Sequence, residues 1–184
     1  KPFGYMPFYP GPGLGGHCIP IDPFYLSYRA KQFGQTSKFI KLAGEINSEM
    51  PQYILQVLRK ALKQIEKKDI KGAKILLIGI AYKKNINDTR ESPGLTLLEL
   101  IRETGANVSY FDPFVPSVPI TRKHPKLANI KSVRWSKAEI SKYDAALICT
   151  DHDNIDYEQL LAHSKLIVDT RNALGIIGAK SSKV

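Results

Sequence analysis

Cysteine is nearly missing from this chain. Its 184 residues include two, Cys18 and Cys149, in surroundings so different that a disulfide framework is excluded as their purpose, and a reducing cytoplasm is the expected setting. No apolar run approaches the roughly 18 residues that a membrane span needs, and the opening KPFGYMPFYP lacks the apolar core of a signal peptide. Acidic residues are also short, 17 against 27 lysines and arginines. The formal charge of +10 favours an anionic partner. Nucleic acid is disfavoured, because the cations are spread over helix faces and element ends without interleaved aromatics. A phosphorylated small molecule accounts for the excess equally well. A G-x-G-x-x-G phosphate fingerprint is missing as well, since LIGIAYKKN supplies Gly79 alone after the first long apolar run.

What is present begins with GPGLGGHCIPIDPFYL, residues 11–26. Glycine and proline would also suit a linker, but linkers are polar and avoid large side chains, whereas HCIPIDPFYL is apolar and aromatic. Glycine lets backbone approach another group closely and proline stiffens a loop, so Cys18 is read as a thiol held in place. FYLSYRAKQFG then has helical spacing with a stop at Gly34. From Ser37 to Lys68, apolar residues recur every three or four positions, predicting one long helix or two end to end, with a kink or restart at Pro51.

After KDIKGAK the pattern changes. KILLIGIAY, Lys74 to Tyr82, is a continuous apolar run of the kind buried on both faces of a parallel sheet. PGLTLLELIRETG reads as a helix capped by Ser92 and stopped at Gly105. NVSYFDP, DAALICTDH and KLIVDTRN read as further strands, and SKAEI and YEQLLAHS as helices. The expected fold is therefore α/β, a long connecting helix followed by a doubly wound, Rossmann-like parallel sheet with helices on both faces and a crevice at the strands' carboxyl ends. Residues 1–35 hold the cysteine loop and the start of a helical region, 36–70 the long helix, and 71–184 the sheet domain. At the strand ends stand Tyr82, Lys83, Lys84, Asp88, Arg90, Glu91, Asp112, Thr150, Asp151, His152, Asp169 and Arg171. Most such charges are only solvated, but Lys83, Arg90 and Arg171 form a reasonable phosphate cradle.

FYPGPGLGGHCIPIDPFYL resembles the catalytic cysteine loop of the nucleotide-sugar 6-dehydrogenases, the UDP-glucose/GDP-mannose dehydrogenase family. GIAYKKNINDTRESP resembles that family's second hallmark, and AGEINSEMPQYI its connecting, dimer-building helix. HCIPIDP is most similar to the bacterial branch acting on UDP-N-acetylhexosamines. The resemblance covers essentially the whole chain and implies the C-terminal half of such an enzyme, without its N-terminal NAD-binding domain and inactive alone. It implies two-step oxidation of the sugar C6 alcohol to a carboxylate for polysaccharide precursor synthesis. In that chemistry the resemblance gives Cys18 the role of forming the thiohemiacetal and thioester, and Asp22 that of positioning or activating the hydrolytic water.

The resemblance assigns substrate contacts to Tyr9, Pro10, Gly11, Pro12, Gly13, Leu14, Gly15, Tyr82, Lys83 and Arg171. It assigns cofactor contacts to Cys18, Ile19, Pro20, Ile21 and Arg90, with NAD held mainly by the absent domain. It also implies a UDP-sugar partner, a homodimer and a cytoplasmic location, with no metal, nucleic acid or membrane. Two other classes stand beside this reading. A non-catalytic UDP-sugar-binding module has no need of GGHCIPID, and a nucleic-acid-binding protein predicts affinity that falls steeply with salt and ignores UDP. Within the loop, His17 as a base for Cys18 is disfavoured because adjacent residues in an extended loop point apart, and a zinc site from Cys18, His17 and His152 lacks paired spacing. Cys149 is expected in the core, and His124 and His163 in polar surface contexts.

Overall fold

The computed structural model describes residues 4, 9–179 and 181–184. Helix α1 covers Asp22–Gln32, with Pro23 in its first turn, and ends before Gly34, whose φ of 72° breaks the helix as expected. Helix α2, Lys38–Ala61, continues into a π-helical turn, Leu62–Glu66, closed by left-handed Lys67. Pro51 does not restart α2. It deprives the Asn47 carbonyl of its helical donor, and that carbonyl faces Gly13 of the cysteine loop, where a Cβ would lie 3.4 Å from the oxygen.

The sheet holds β1 (Lys74–Ile78), β2 (Asn107–Phe111), β3 (Ala145–Ile148) and β4 (Ile167–Asp169). Their order is β2-β1-β3-β4 and every pairing is parallel. The chain therefore moves outward from β1 to β2 and then crosses back to β3, which leaves a switch point between the carboxyl ends of β1 and β3. β1 ends earlier than its apolar run, because Gly79 takes φ of 79° and turns the chain away from the sheet. A Cβ at Gly79 would stand 2.5 Å from the Thr150 carbonyl oxygen, so the close crossing of the two strand ends requires glycine.

Both faces of the sheet are covered. Ile75 and Leu77 point toward α2 and α3 (Pro93–Glu103), meeting Leu58, Leu62, Leu95, Leu98 and Ile101. Leu76 and Ile78 point the other way, toward Ile140 of α4 (Lys137–Ile140), Leu160 of α5 (Tyr157–His163) and Leu174 of α6 (Ala173–Ile176). Each fully buried leucine or isoleucine adds roughly 1.5–3 kcal/mol, so the continuous apolar strands are the main source of cohesion. Ser92 caps α3 through its hydroxyl, which accepts from the Gly94 amide, and Gly105 ends that helix's exit turn with φ of 82°.

Between β2 and α4 the chain makes an excursion with a 3₁₀ turn at Pro125–Leu127 and an isolated bridge between Ser117 and Lys131. The buried Tyr110 hydroxyl holds it, donating toward the carbonyls of Val115 and Ile130. His124 is buried against Glu99 of α3, which corrects its expected surface position. The excursion carries His124 onto the helix, so its own loop sequence does not reveal its burial.

Candidate functional site

The cysteine loop lies across the carboxyl edge of the sheet. Its small residues are where its backbone meets the sheet domain. A Cβ at Gly15 would stand 2.5 Å from the Tyr82 Cβ and 3.0 Å from the Glu91 carbonyl oxygen, and one at Gly16 would meet the Tyr82 ring at 2.9 Å. A Cβ at Gly11 would collide with the Arg171 guanidinium. Polar contacts reinforce the docking. The Gly16 amide donates to the Arg90 carbonyl at 2.9 Å, and Arg171 donates from Nη1 to the Pro10 carbonyl at 3.2 Å.

Cys18 is exposed, and its carbonyl accepts from the amides of Ile21 and Asp22, closing the turn that leads into α1. Asp22 is the first residue of α1 and is exposed. Ile19 and Ile21, in the same turn, expose apolar surface, and Pro20 is half-buried. Pro12 is buried, whereas Tyr9 and Leu14 are exposed and project from the loop. Cys149 is a different kind of cysteine, buried in the core as expected, with its thiol pushed up to about 12 by desolvation and therefore inert.

The cations are held differently from one another. Arg171 at the end of β4 donates from Nε to Asp151 at 2.9 Å, so its guanidinium bridges the sheet and the cysteine loop. Arg90 turns back on Asp88, contacting both carboxylate oxygens, while its Nη1 lies 3.4 Å from His17 Nδ1. Lys83 is exposed, and no ion pair among the described residues engages its ammonium. Lys83 and Arg171 are thus presented at the edge over which the cysteine loop runs. Beside the Asp151–Arg171 pair opens a cavity of about 350 Å³ lined by Lys84, Asp151, Asp153, Asp156, Tyr157 and Ile176, among others. Its acidic rim repels a diphosphate, whose charge is better matched on the loop side of Arg171.

Beneath the loop lies a buried polar network that residue spacing does not disclose. Asp112, at the end of β2, accepts at Oδ2 from the Ile80 and Ala81 amides at 2.7 and 3.0 Å, and at Oδ1 from the Phe114 and Val115 amides at 2.8 and 3.0 Å. His152 Nε2 lies 3.2 Å from the same Oδ2, with both side chains 0% exposed. His152 Nδ1 accepts from the Asn85 amide at 2.9 Å, which assigns the ring proton to Nε2. Asp112 and His152 are recognisable in the sequence only as polar residues at strand ends. Their burial and pairing arise from strands 40 positions apart.

Desolvation raises the Asp112 carboxyl, but the His152 hydrogen bond and the Ile80 and Ala81 amides outweigh it and hold the group below its usual 3.8. Desolvation is likewise outweighed at Asp144, where Lys68, the Lys74 amide and Lys165 keep the carboxyl low. For depressed acids, the stability gained on folding is full above the unfolded value and is lost as pH falls through the folded value. The difference in urea midpoint between the parent chain and Asp144→Asn, followed from pH 7 downward, is therefore expected to hold steady until about pH 4 and to shrink below it.

The family profile described as UDP-glucose/GDP-mannose dehydrogenase family, UDP binding domain, matches residues 76–176, and the profile of that family's central domain matches residues 1–49. The chain belongs to this family. A UDP-N-acetyl-D-mannosamine dehydrogenase of Methanococcus maripaludis is 36% identical over 173 residues, which cover 90% of this chain and 36% of that protein. The structure of a UDP-D-ManNAc dehydrogenase from Pyrococcus horikoshii superposes with a TM-score of 0.74 at 29% identity, covering 98% of this chain and 39% of that one. A UDP-glucose dehydrogenase from Pyrobaculum islandicum superposes with a TM-score of 0.70 at 27% identity, over 89% of this chain and 36% of that one. The chain thus spans little more than a third of the length of these relatives. Within the dehydrogenase family it carries the UDP-binding portion and part of the central one.

Proposed function

We propose that this chain is the cysteine-bearing and UDP-sugar-binding part of an NAD-dependent UDP-sugar 6-dehydrogenase, acting on a UDP-N-acetylhexosamine. The observation that carries this reading is the seating of the cysteine loop on Tyr82, Arg90 and Arg171, which brings an exposed thiol and two exposed or bridging cations to one sheet edge. A diphosphate bound there meets the Arg171 fork and the Lys83 point charge, while the backbone of residues 10–16 lies near enough to contact the sugar. Tyr9, Leu14 and Tyr82 frame it.

The residues around Cys18 suit a nicotinamide cofactor. Ile19 and Ile21 offer exposed apolar surface to a planar ring, and Arg90 offers a cation for its phosphates. NAD, held mainly by a domain outside this chain, would supply the hydride acceptor for both oxidations. The Cys18 thiolate adds to the C6 aldehyde carbon to form a thiohemiacetal. Hydride loss from that carbon leaves a thioester. Water then cleaves the thioester, with Asp22 accepting a water proton as the carboxylate forms and the thiol is released.

The exposed apolar side chains of α1 and the first half of α2, Tyr25, Leu26, Tyr28, Phe39, Leu42 and Ile46, support a homodimer built through this helical region. Free Cys18 and Cys149 support a reducing, cytoplasmic setting. Among the described residues, no helix is long and apolar enough to cross a membrane.

The thiol chemistry is testable on this chain alone, because thiohemiacetal formation needs no oxidant. A UDP-hexosamine 6-aldehyde is expected to slow alkylation of Cys18 by iodoacetamide at least about tenfold, while UDP alone slows it less. Intact mass and peptide mapping read the modification at Cys18 against Cys149. Equal protection by aldehyde and UDP removes the support for covalent catalysis.

A further inference from the structure

We infer that His152, held between Asp112 and Asn85, is a positioning residue that sets the Tyr82–Lys83 segment for the nucleotide. The inference rests on the UDP-sugar reading for its ligand, and on geometry for everything else. Residues 79–92 leave β1 at the switch point and carry Tyr82, Lys83 and Arg90. The start of this segment is pinned by Asp112, which takes the Ile80 and Ala81 amides, and by Thr150, whose hydroxyl donates to the Ala81 carbonyl at 2.7 Å.

Its middle is pinned just past Lys84. The Asn85 amide donates to His152 Nδ1 at 2.9 Å, the Asn85 side chain donates to Asp153, and the Asp153 amide donates back to Asn85 Oδ1 at 3.0 Å. Asn85 is left-handed, with φ of 63°, so the segment reverses there. Tyr82 and Lys83 are the span between these two fixed points. His152 touches both anchors, with Nε2 toward Asp112 and Nδ1 toward Asn85, and its ring lies tilted by 46° against Phe114 at 5.1 Å between centroids.

A core selected for cohesion alone would fill this site with an apolar residue, since buried carboxylates and imidazoles carry desolvation costs that apolar groups avoid. The neutral Nε2–H tautomer satisfies both partners, and no other single ring state does so. Protonation at Nδ1 would set one donor against another at Asn85. The network thus specifies one path for the segment.

Three variants separate the two contacts. His152→Leu removes both, His152→Asn keeps an acceptor where Nδ1 stands, and His152→Gln keeps a donor where Nε2 stands. Amide hydrogen exchange on the ligand-free chain is expected to rise about tenfold or more at Asn85 in His152→Leu and His152→Gln, beyond any rise shared with the β1 and β3 amides, and to stay within about threefold of the parent in His152→Asn on the same comparison. Affinity for UDP is expected to fall about tenfold in His152→Leu, but by less than about twofold when Lys83→Ala is already present, because the effect passes through Lys83.

Unchanged exchange at Asn85 in His152→Leu overturns the inference. So does a loss of affinity of the same size with and without Lys83. A parent chain that fails to bind UDP removes the functional reading instead, and exchange at Asn85 still decides whether His152 holds the segment. If His152→Leu does not fold, the contrast between His152→Asn and His152→Gln, which differ by one hydrogen bond each, decides it.

Discussion

Asp112→Ala is expected to destabilise the chain by about 3–5 kcal/mol, measured by urea unfolding at pH 7. The carboxylate accepts from four backbone amides and from His152, and its side chain is 0% exposed, so no water replaces it. Alanine leaves all of these donors without a partner in a closed space. Asp112→Asn is expected to recover little, because whichever way the side-chain amide turns, its NH₂ faces two backbone N–H donors. The energetic consequence is spatially wide. The Ile80 and Ala81 amides belong to the exit of β1 and the Phe114 and Val115 amides to the excursion after β2, while His152 follows β3, so one side chain ties together the ends of three strands. A loss under about 1 kcal/mol would show that the strand ends are held by apolar packing alone.

Arg171→Ala is expected to weaken UDP binding about 100-fold, or roughly 2.7 kcal/mol, while changing stability by less than about 1 kcal/mol. The two effects separate because the Arg171–Asp151 pair is only partly buried, with side chains 25% and 15% exposed, so its contribution to folding is screened. Its contribution to binding is larger, since the guanidinium faces the cysteine loop and holds the Pro10 carbonyl while leaving donors for a diphosphate. Arg171→Lys is expected to recover less than about tenfold of the lost affinity, because a single ammonium cannot hold Asp151, Pro10 and a phosphate in one plane. Calorimetry on the three proteins reads the affinities, and thermal unfolding reads the stabilities. Full recovery by lysine would reduce Arg171 to a point charge.

Much of the fold was legible because its signals are local. Continuous apolar runs mark β1 and β3, whose burial on both faces needs no alternation, and Ser92 and Gly105 bracket α3 by hydrogen bonding and backbone freedom within a few residues. The glycines of the cysteine loop were legible as close approach, though not what they approach. That partner is Tyr82, Pro93 and Arg171, residues far away in the chain. The limits of β1 were not legible from apolarity, because Ile80 and Ala81 are as apolar and as buried as the strand but already belong to the turn made by Gly79. Pro51 leaves a kink or a restart open in the sequence because its missing amide is a local cost, while the compensating burial of Ile54, Leu55 and Leu58 that carries α2 through it is tertiary. His124 and the Asp112–His152 pair escaped for the same reason. A titratable residue in a polar stretch looks solvated until another element folds over it.

The most direct test of the account is a calorimetric titration of the chain with UDP at moderate salt, beside the Lys83→Ala, Arg171→Ala double variant and with UDP-glucose and UDP-N-acetylglucosamine as further ligands. The predicted result is saturable binding of one UDP per chain, lost in the double variant and tighter for the N-acetylhexosamine nucleotide than for UDP-glucose. Absence of UDP binding at millimolar concentration, or equal binding by the double variant, would contradict the placement of the nucleotide between the cysteine loop and the carboxyl edge of the sheet.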